Sequence, residues 1–289
     1  MQISEHLHIL KIPFQVPISP ELKLDRFVNV LLIYGESEVI LVDSGVFGAE
    51  EVIFSYLAAT GRSPAEVKRM ILSHSHPDHL GAARTIKKKT GCRIHAHPAE
   101  RPWIEDTARQ YKERPVPGFN QLVGGSVVVA VLLENGDRIK IDRDVALDVI
   151  HTPGHSPGSI SLHFPADSAV FTGDAIPVPH DLPIFTDWHQ SSDSINRIKA
   201  LPKTKLLLSS WAGPAEDGGK DEAIAAGLDW LRKIKDAVDE AAGRNLPDQD
   251  PLELCRIVWA KLALPPAAVN PLVAKSFASC LQTSAGNVR

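Results

Sequence analysis

The chain has 289 residues, of which 44% are hydrophobic and 23% charged, with a formal net charge of −4 at pH 7. This composition is typical of a globular protein with a sizeable core, and it gives no electrostatic reason to expect a nucleic-acid partner. The three cysteines are widely spaced, the N-terminus lacks a basic-then-apolar leader pattern, and no apolar run reaches the ~18 residues of a membrane span. We therefore expect a cytoplasmic protein that acts without a membrane.

The first third of the chain alternates strand and helix patterns. Apolar runs at residues 8–14, 28–34 and 38–42 predict strands, because Pro, Gly or Asp closes each one. Helical periodicity follows over residues 50–60, and residues 67–72 return to a strand pattern. A strand, helix and strand unit of this size indicates a layered α/β domain.

A polar loop with four candidate metal ligands follows the strand at 67–72. His74, His76, Asp78 and His79 lie within six residues, directly before a helical pattern. Imidazole and carboxylate groups bind Zn²⁺ at roughly 2.0 to 2.2 Å, so such a turn can direct alternate side chains to one ion and the next two to another. This spacing favours a metal site over a histidine-rich surface loop.

The middle of the chain predicts a second sheet. A basic-faced helix at 82–90 and a strand at 92–98 precede residues 101–125, which look irregular and typical of a pocket wall or lid. Apolar or alternating runs at 127–133, 138–141 and 146–150 predict hairpin-connected strands of the second sheet. His95 and His97 share one side of their strand, where structural roles are favoured over a further metal site.

Two more candidate ligands stand at strand ends. His155 lies in a loop that two glycines turn tightly and two prolines stiffen, and Asp174 follows the apolar run at 168–171. Residues 176–192 are rich in Pro, Asp, His and aromatic side chains, so we expect them to border the same pocket. A helix at 194–201 and a strand at 205–208 come next. Helical patterns then run at 224–241, 251–264 and 271–281, separated by breakers at 243–247 and 264–266.

Four motifs resemble those of the metallo-β-lactamase superfamily, in the order in which that family has them. The run from His74 to His79 resembles its HxHxDH motif, and the loop from Thr152 to Ser159 resembles its TPGHTPGS loop. The run from Phe171 to Asp174 resembles its FTGD turn, and the run from Val42 to Gly45 its VDTG turn. The resemblance extends to about Pro214, and it is far more specific for fold than for substrate.

The resemblance implies an α/β fold, an αββα metallo-β-lactamase sandwich, with a C-terminal helical extension. Residues 1–215 would form the catalytic domain and residues 216–289 the all-helical extension. It also implies two zinc sites, although iron or manganese would fit the same ligands. The first site would use His74, His76 and His155 with an open position for water. The second would use Asp78, His79 and a bridging Asp174, and Asp43 would orient the ligand loop.

The chain departs from the family where the last ligand is expected. In place of a His in a GHG-like turn, it has Ser209-Ser210-Trp211-Ala212-Gly213-Pro214 after the strand at 205–208. Indole offers only a donor, and a neutral serine is a poor zinc ligand. We therefore expect a weaker second metal completed by water or substrate. The less favoured alternative is that His180 or His189 replaces the missing ligand.

These observations favour a metal-dependent hydrolase that cleaves an ester, thioester, lactone or amide of a small molecule through a metal-bound hydroxide, with Asp78 orienting the water or accepting its proton. We expect an apolar wall that favours apolar or ring-containing substrates; its residues would be Phe185, Trp188, His189 and Trp211.

Two other classes stay open. His74, His155 and Asp174 could hold a single iron, as in thiol dioxygenases of this fold, or the site could belong to a non-catalytic metal-binding or regulatory protein. The helical extension could be a cap with substrate contacts, a homodimer surface, or only a cover for apolar surface, which is the favoured interpretation.

Overall fold

The structure, a computed structural model, describes residues 1–17, 23–143, 145–216, 218–243, 250–264 and 269–282. Its strands form two sheets, one of six strands in the order β1-β2-β3-β4-β5-β6 and one of five in the order β11-β10-β9-β8-β7. The strands of the first sheet are β1 (Leu7–Pro17), β2 (Lys23–Tyr34), β3 (Val39–Val42), β4 (Val67–Ile71), β5 (Arg93–Ala96) and β6 (Val129–Leu132). Those of the second sheet are β7 (Arg138–Lys140), β8 (Ala146–His151), β9 (Ile160–Phe164), β10 (Ala169–Phe171) and β11 (Leu206–Leu208).

The helices lie outside the two sheets. They are α1 (Glu50–Ala59), α2 (Pro77–Leu80), α3 (Ala83–Thr90), α4 (Arg101–Glu105), α5 (Thr107–Glu113), α6 (Phe119–Leu122), α7 (Trp188–Lys199), α8 (Gly219–Ala242), α9 (Pro251–Lys261) and α10 (Pro271–Ser279). No helix in the described ranges is long and apolar enough to cross a membrane.

Three apolar clusters hold the layers together. The inner faces of the two sheets meet through side chains such as Ile40 and Phe171, both fully buried. The outer face of the first sheet packs against α1 and α3 through residues such as Ile53 and Ile86. The outer face of the second sheet packs against α7 to α10, and Trp230 is nearly fully buried there. The fold is therefore the αββα sandwich that the motifs predict.

Strand direction places the chemistry at one edge of the sandwich. Strands β3, β4 and β5 are parallel, so their carboxyl ends point the same way, and β3 is buried at all positions as expected for a strand covered on both faces. Strands β10 and β11 are also parallel to each other. Loops that follow parallel strands meet at one edge of the sheet, where ligands bind in layered α/β folds.

The structure corrects three sequence-based expectations. The run at 127–133 does not join the second sheet, because β6 pairs in parallel with β5 at the edge of the first. The segment at 101–125 is not irregular but contains α4, α5 and α6, and Asp106 caps α5 by accepting from the Arg109 N–H. Helix α7 begins at Trp188, since Asp187 supplies its N-cap. The breaks predicted at 243–247 and 264–266 lie, apart from residues 243 and 264, outside the described residues.

The C-terminal helices share one core with the second sheet. Side chains of α8, α9 and α10 pack with α7, β10 and β11 in a single apolar cluster. Helix α8 contributes Trp230 and Ile234, and α10 contributes Phe277. The extension therefore completes the outer helical layer of the second sheet.

Candidate metal centre

Six polar side chains converge at the edge where the strands end. His74, His76, Asp78 and His79 follow β4, His155 lies between β8 and β9, and Asp174 follows β10. Gly154 lets the His155 loop approach helix α7, because a Cβ atom there would lie 2.3 Å from the Ser191 nitrogen. Its φ of 131° is also one that only glycine adopts readily.

The first group consists of three imidazoles. One nitrogen each of His74, His76 and His155 lies within 4.8 Å of the others, and all three residues are buried. His76 Nδ1 lies 2.8 Å from His155 Nε2. Neutral imidazole is the form that binds metals, and three of them around one point match a catalytic zinc site with one open position.

The second group centres on His79 and Asp174. His79 Nε2 lies 3.2 Å from Asp174 Oδ1 and 3.4 Å from Asp78 Oδ2. The other oxygen of Asp174, Oδ2, lies 3.3 Å from His155 Nε2 and 3.9 Å from His74 Nε2. Asp174 thus faces both groups with different oxygens, which is the geometry expected of a bridging carboxylate.

Buried acceptors fix the ring orientation of three histidines. Asp43 accepts hydrogen bonds from the Ser73 N–H and hydroxyl at 2.7 Å each, and its Oδ2 lies 2.8 Å from His79 Nδ1. The Ser73 hydroxyl also lies 3.0 Å from His74 Nδ1, and the Ile184 carbonyl 2.7 Å from His155 Nδ1. With Nδ1 so engaged, the Nε2 atom of each ring is left to face the cluster.

Electrostatics divides the cluster into neutral and charged parts. Burial lowers the pKa values of His74 and His76 well below the ordinary histidine value, and that of His155 is also lowered, mainly by burial. Burial opposes protonation of His79 as well, but Asp174, Asp78 and Asp43 together raise its pKa well above the ordinary value. Burial would raise the pKa of Asp174, yet His79 and His155 hold it well below its ordinary value.

Unpartnered buried atoms show that the cluster fits a metal. His74 Nε2, His79 Nε2 and Asp174 Oδ1 are buried and make no well-aligned hydrogen bond in the described part of the chain, although His79 Nε2 and Asp174 Oδ1 face each other as an ion pair at 3.2 Å. Burying such atoms without a partner costs about 1–3 kcal/mol each, so natural proteins rarely leave several together. The histidine and carboxylate donors are those that zinc, iron and manganese accept.

A buried glutamate that the sequence did not indicate joins the two ligand loops. Glu100 is 2% exposed, and its Oε2 accepts from the N–H and hydroxyl of Ser75. Its Oε1 accepts from the Ser156 hydroxyl and the Gly158 N–H, at 2.7 Å each. The carboxylate therefore holds the loop of His74 and His76 against the loop of His155. An acid two residues after a proline carries no sequence pattern that would reveal this role.

The turn that lacks the expected histidine is closed by Trp211. Its indole N–H donates to Asp174 Oδ2 at 2.8 Å, and its ring lies under the Arg26 guanidinium at 4.6 Å. Asn29 fixes the turn by donating from its side chain to the carbonyls of Ser209 at 2.9 Å and Ala212 at 2.8 Å. Trp211 thus lies at the cluster as predicted, but as a donor to a ligand.

The other predicted pocket residues face the helical layer. Phe185 is 4% exposed inside the core of α7 to α10, so it does not line a pocket beside the cluster. Trp188 donates its indole N–H to the Leu231 carbonyl of α8 at 2.8 Å, and His189 Nε2 lies 3.2 Å from the Gln282 carbonyl. The predicted apolar wall is therefore reduced to Trp211. Phe185, Trp188 and His189 instead contact the C-terminal helical extension.

Neither alternative histidine reaches the second group. His180 packs against Trp230 with ring centroids 5.0 Å apart, and the ring contact of His189 is with Trp188. In the described ranges neither joins a group of potential metal ligands. The structure therefore does not place either of them at the position of the missing ligand.

Known proteins share both the sequence pattern and the fold. Residues 24–210 match the family model described as the metallo-beta-lactamase superfamily. A hydroxyacylglutathione hydrolase of Hyphomonas neptunium is 31% identical over 153 residues, which cover 53% of this chain and 51% of that protein. A probable metallo-hydrolase of Bacillus subtilis is 26% identical over 151 residues, which cover 51% of this chain and 65% of that protein. The chain thus spans about half to two thirds of these relatives.

Solved structures extend the likeness to nearly the whole chain. A metallo-beta-lactamase family protein from Thermus thermophilus superposes with a TM-score of 0.71 at 19% identity, covering 94% of this chain and 92% of that one. A beta-lactamase domain protein from Burkholderia ambifaria gives 0.70 at 18% identity, with 95% and 86% covered. At sequence identities this low, the superpositions show a shared fold and nothing about activity. The match of the family model over residues 24–210 shows that the chain belongs to the metallo-β-lactamase superfamily, whose members are mostly metal-dependent hydrolases.

Proposed function

We propose that the protein hydrolyses an ester, thioester, lactone or amide bond of a small molecule with the help of zinc bound at this cluster. The observation that carries the proposal is the convergence of His74, His76, His155, His79 and Asp174 at one edge of the sandwich, where they form two groups whose ligand atoms lie within 4.8 Å of one another. Nothing in the packing of the sandwich needs these groups at its edge, because apolar side chains would fill the space at lower cost.

Each residue has a defined part in the proposal. His74, His76 and His155 would hold one ion, and His79, Asp78 and the bridging Asp174 a second. A bound ion would supply Lewis acidity that polarises the carbonyl group and lowers the pKa of water. Asp78 is 18% exposed and 3.4 Å from His79 Nε2, so its carboxylate can orient the attacking water and take its proton.

A matched pair of histidine variants tests the proposal. His76 and His163 are each 5% exposed, but only His76 belongs to the cluster. Purified protein is loaded with zinc and assayed on a panel of esters, thioesters, lactones and amides. We expect turnover that a chelator abolishes and zinc restores, absent in His76→Ala and present in His163→Ala. Turnover that persists in His76→Ala would refute the assignment.

The same preparations separate the other classes. Oxygen uptake with thiols, in iron-loaded protein and without cleavage of any carbonyl substrate, would support the iron oxidoreductase that uses His74, His155 and Asp174. The third imidazole, His76, at 2.8 Å from His155, favours the hydrolase instead, because it completes a three-histidine site. A protein that binds metal but turns over neither class of substrate would have a binding or regulatory role.

A further inference from the structure

Helix α5 lies against the loop that carries two of the proposed ligands. Gln110, fully buried on this helix, donates its side-chain amide N–H to the Ser75 carbonyl between His74 and His76. Arg114 is one helical turn further on and its backbone N–H donates to the Gln110 carbonyl at 2.8 Å. Arg114 is the first residue after α5, and this bond holds its backbone against the helical turn that carries Gln110.

The Arg114 guanidinium lies close enough to the cluster to interact with its carboxylates. Burial lowers the pKa of Arg114 to about 10, although Asp78, Asp174 and Glu100 act to raise it. An arginine with this pKa keeps its charge at neutral pH. A permanent cation therefore lies near the proposed metal centre.

This cation has no anionic partner among the described residues. The other half-buried arginines each have one: Arg26 pairs with Asp181 at 2.8 Å, Arg62 with Glu66 at 2.7 Å, and Arg69 with Glu38. Arg114 has no carboxylate within 4.0 Å, and its side chain makes no hydrogen bond to the described part of the chain. A guanidinium offers five N–H donors in a plane that matches carboxylate or phosphate oxygens.

From this unpaired cation at the ligand loop we infer that the substrate carries an anionic group, a carboxylate or a phosphate, which Arg114 binds while the scissile carbonyl lies at the metal centre. The inference rests on the proposed hydrolase function and narrows its substrate class. It modifies the expectation of an apolar or ring-containing substrate, since Phe185 and Trp188 pack in the helical layer and not at the cluster. Trp211 remains available to contact the uncharged part of such a substrate.

Two pairs of matched esters measure the contribution of the anion. The substrates are mono-4-nitrophenyl esters of dicarboxylic acids of two chain lengths, each compared with its methyl ester, in which the carboxylate is masked. The readout is the ratio of kcat/KM for the free acid to that for the masked ester, in zinc-loaded protein. The variants are Arg114→Gln and Arg114→Lys. The control is Arg109→Gln, because the guanidinium of Arg109 on α5 pairs with Glu113 outside the cluster.

We expect the wild type and Arg109→Gln to prefer the free acid, and Arg114→Gln to lose about 10- to 100-fold of that ratio, as removal of charged hydrogen bonds does. Arg114→Lys should fall between them, because it keeps the charge but not the fork. A ratio that is equal in wild type and Arg114→Gln, with metal content unchanged, would overturn the inference.

Calorimetric titration with adipate and with inorganic phosphate separates the inference from the hydrolase proposal. If no ester is cleaved but one anion binds the zinc-loaded wild type at least about tenfold more tightly than Arg114→Gln, the hydrolase proposal fails and the anion site stands. The tighter of the two anions then identifies a carboxylate or a phosphate group. If neither anion binds, or both bind the two proteins equally, the anion site fails.

Discussion

Replacing Glu100 by Gln tests whether the two ligand loops are held together by one buried carboxylate. Each oxygen of Glu100 accepts from one backbone N–H and one serine hydroxyl. In Glu100→Gln the amide oxygen still serves one loop, but the amide NH₂ faces a backbone N–H of the other. The serine hydroxyl on that side can rotate to accept, whereas the backbone N–H cannot.

The magnitude follows from that asymmetry. A stranded buried N–H costs about 1–3 kcal/mol, and loss of the negative charge weakens the bonds that remain, so the total is about 2–4 kcal/mol. For a chain of this size that loss corresponds to a fall in Tm of roughly 3–7 °C. Because the loops carry His76 and His155, zinc affinity should fall by about 10- to 100-fold, as it does when groups that orient ligands are removed.

Thermal unfolding with and without zinc, and a zinc titration against a competing chelator, measure both effects. Glu51→Gln is the control, because Glu51 is exposed on α1 and remote from the loops. A Tm within about 1 °C of the wild type would refute the calculation of stability. A lowered Tm with unchanged zinc affinity would show that Glu100 stabilises the fold without positioning the ligands.

Three further predictions concern single sites. Burial lowers the pKa of His95 to about 4, so between about pH 6.5 and 4 the folded protein binds fewer protons than the unfolded chain, and its stability falls as the pH falls. Urea unfolding should show a loss of about 2 kcal/mol between about pH 7 and 5 that is absent in His95→Leu. Trp211→Phe keeps an aromatic ring but removes the N–H that donates to Asp174, so zinc should bind about tenfold more weakly, as measured by competition with a chelator. Equal zinc affinity in the variant and the wild type would exclude a role for that N–H. Dialysis against a mild chelator should remove one metal readily and leave one, and anomalous scattering should place the retained ion at His74, His76 and His155; two equally retained ions would contradict a weaker second site.

The site was predictable from the sequence where its ligands are local. His74 to His79 follow one strand without interruption, and His155 and Asp174 follow others, so strand ends that meet at one edge bring them together. Asp43 likewise follows β3 and reaches His79 and Ser73. In each case a short motif contains both the residue and the turn that directs it.

The parts that could not be predicted depend on partners distant in sequence. Glu100 is defined by loops 25 and 56 residues away, at Ser75 and Ser156. Trp188 looked like a loop residue, but helix α7 begins there because Asp187 caps it and α8 offers a carbonyl to its indole. The strand at 127–133 has an ordinary apolar pattern, and only the open edge of β5 decides which sheet it joins.

The charges of the cluster explain why the two proposed metal positions should differ. His74, His76 and His155 have pKa values below the ordinary one, so at neutral pH they already present neutral nitrogens, and an ion entering there displaces no proton. His79 has a raised pKa because three carboxylates surround it, and in the metal-free protein its proton balances part of their charge. An ion at the second position must displace that proton before it can use His79 Nε2. Trp211 cannot lower this cost, since its indole N–H is a donor and offers no lone pair to a metal. The absence of a histidine from the turn at 209–214 and the protonation of His79 therefore both weaken metal binding at the second position.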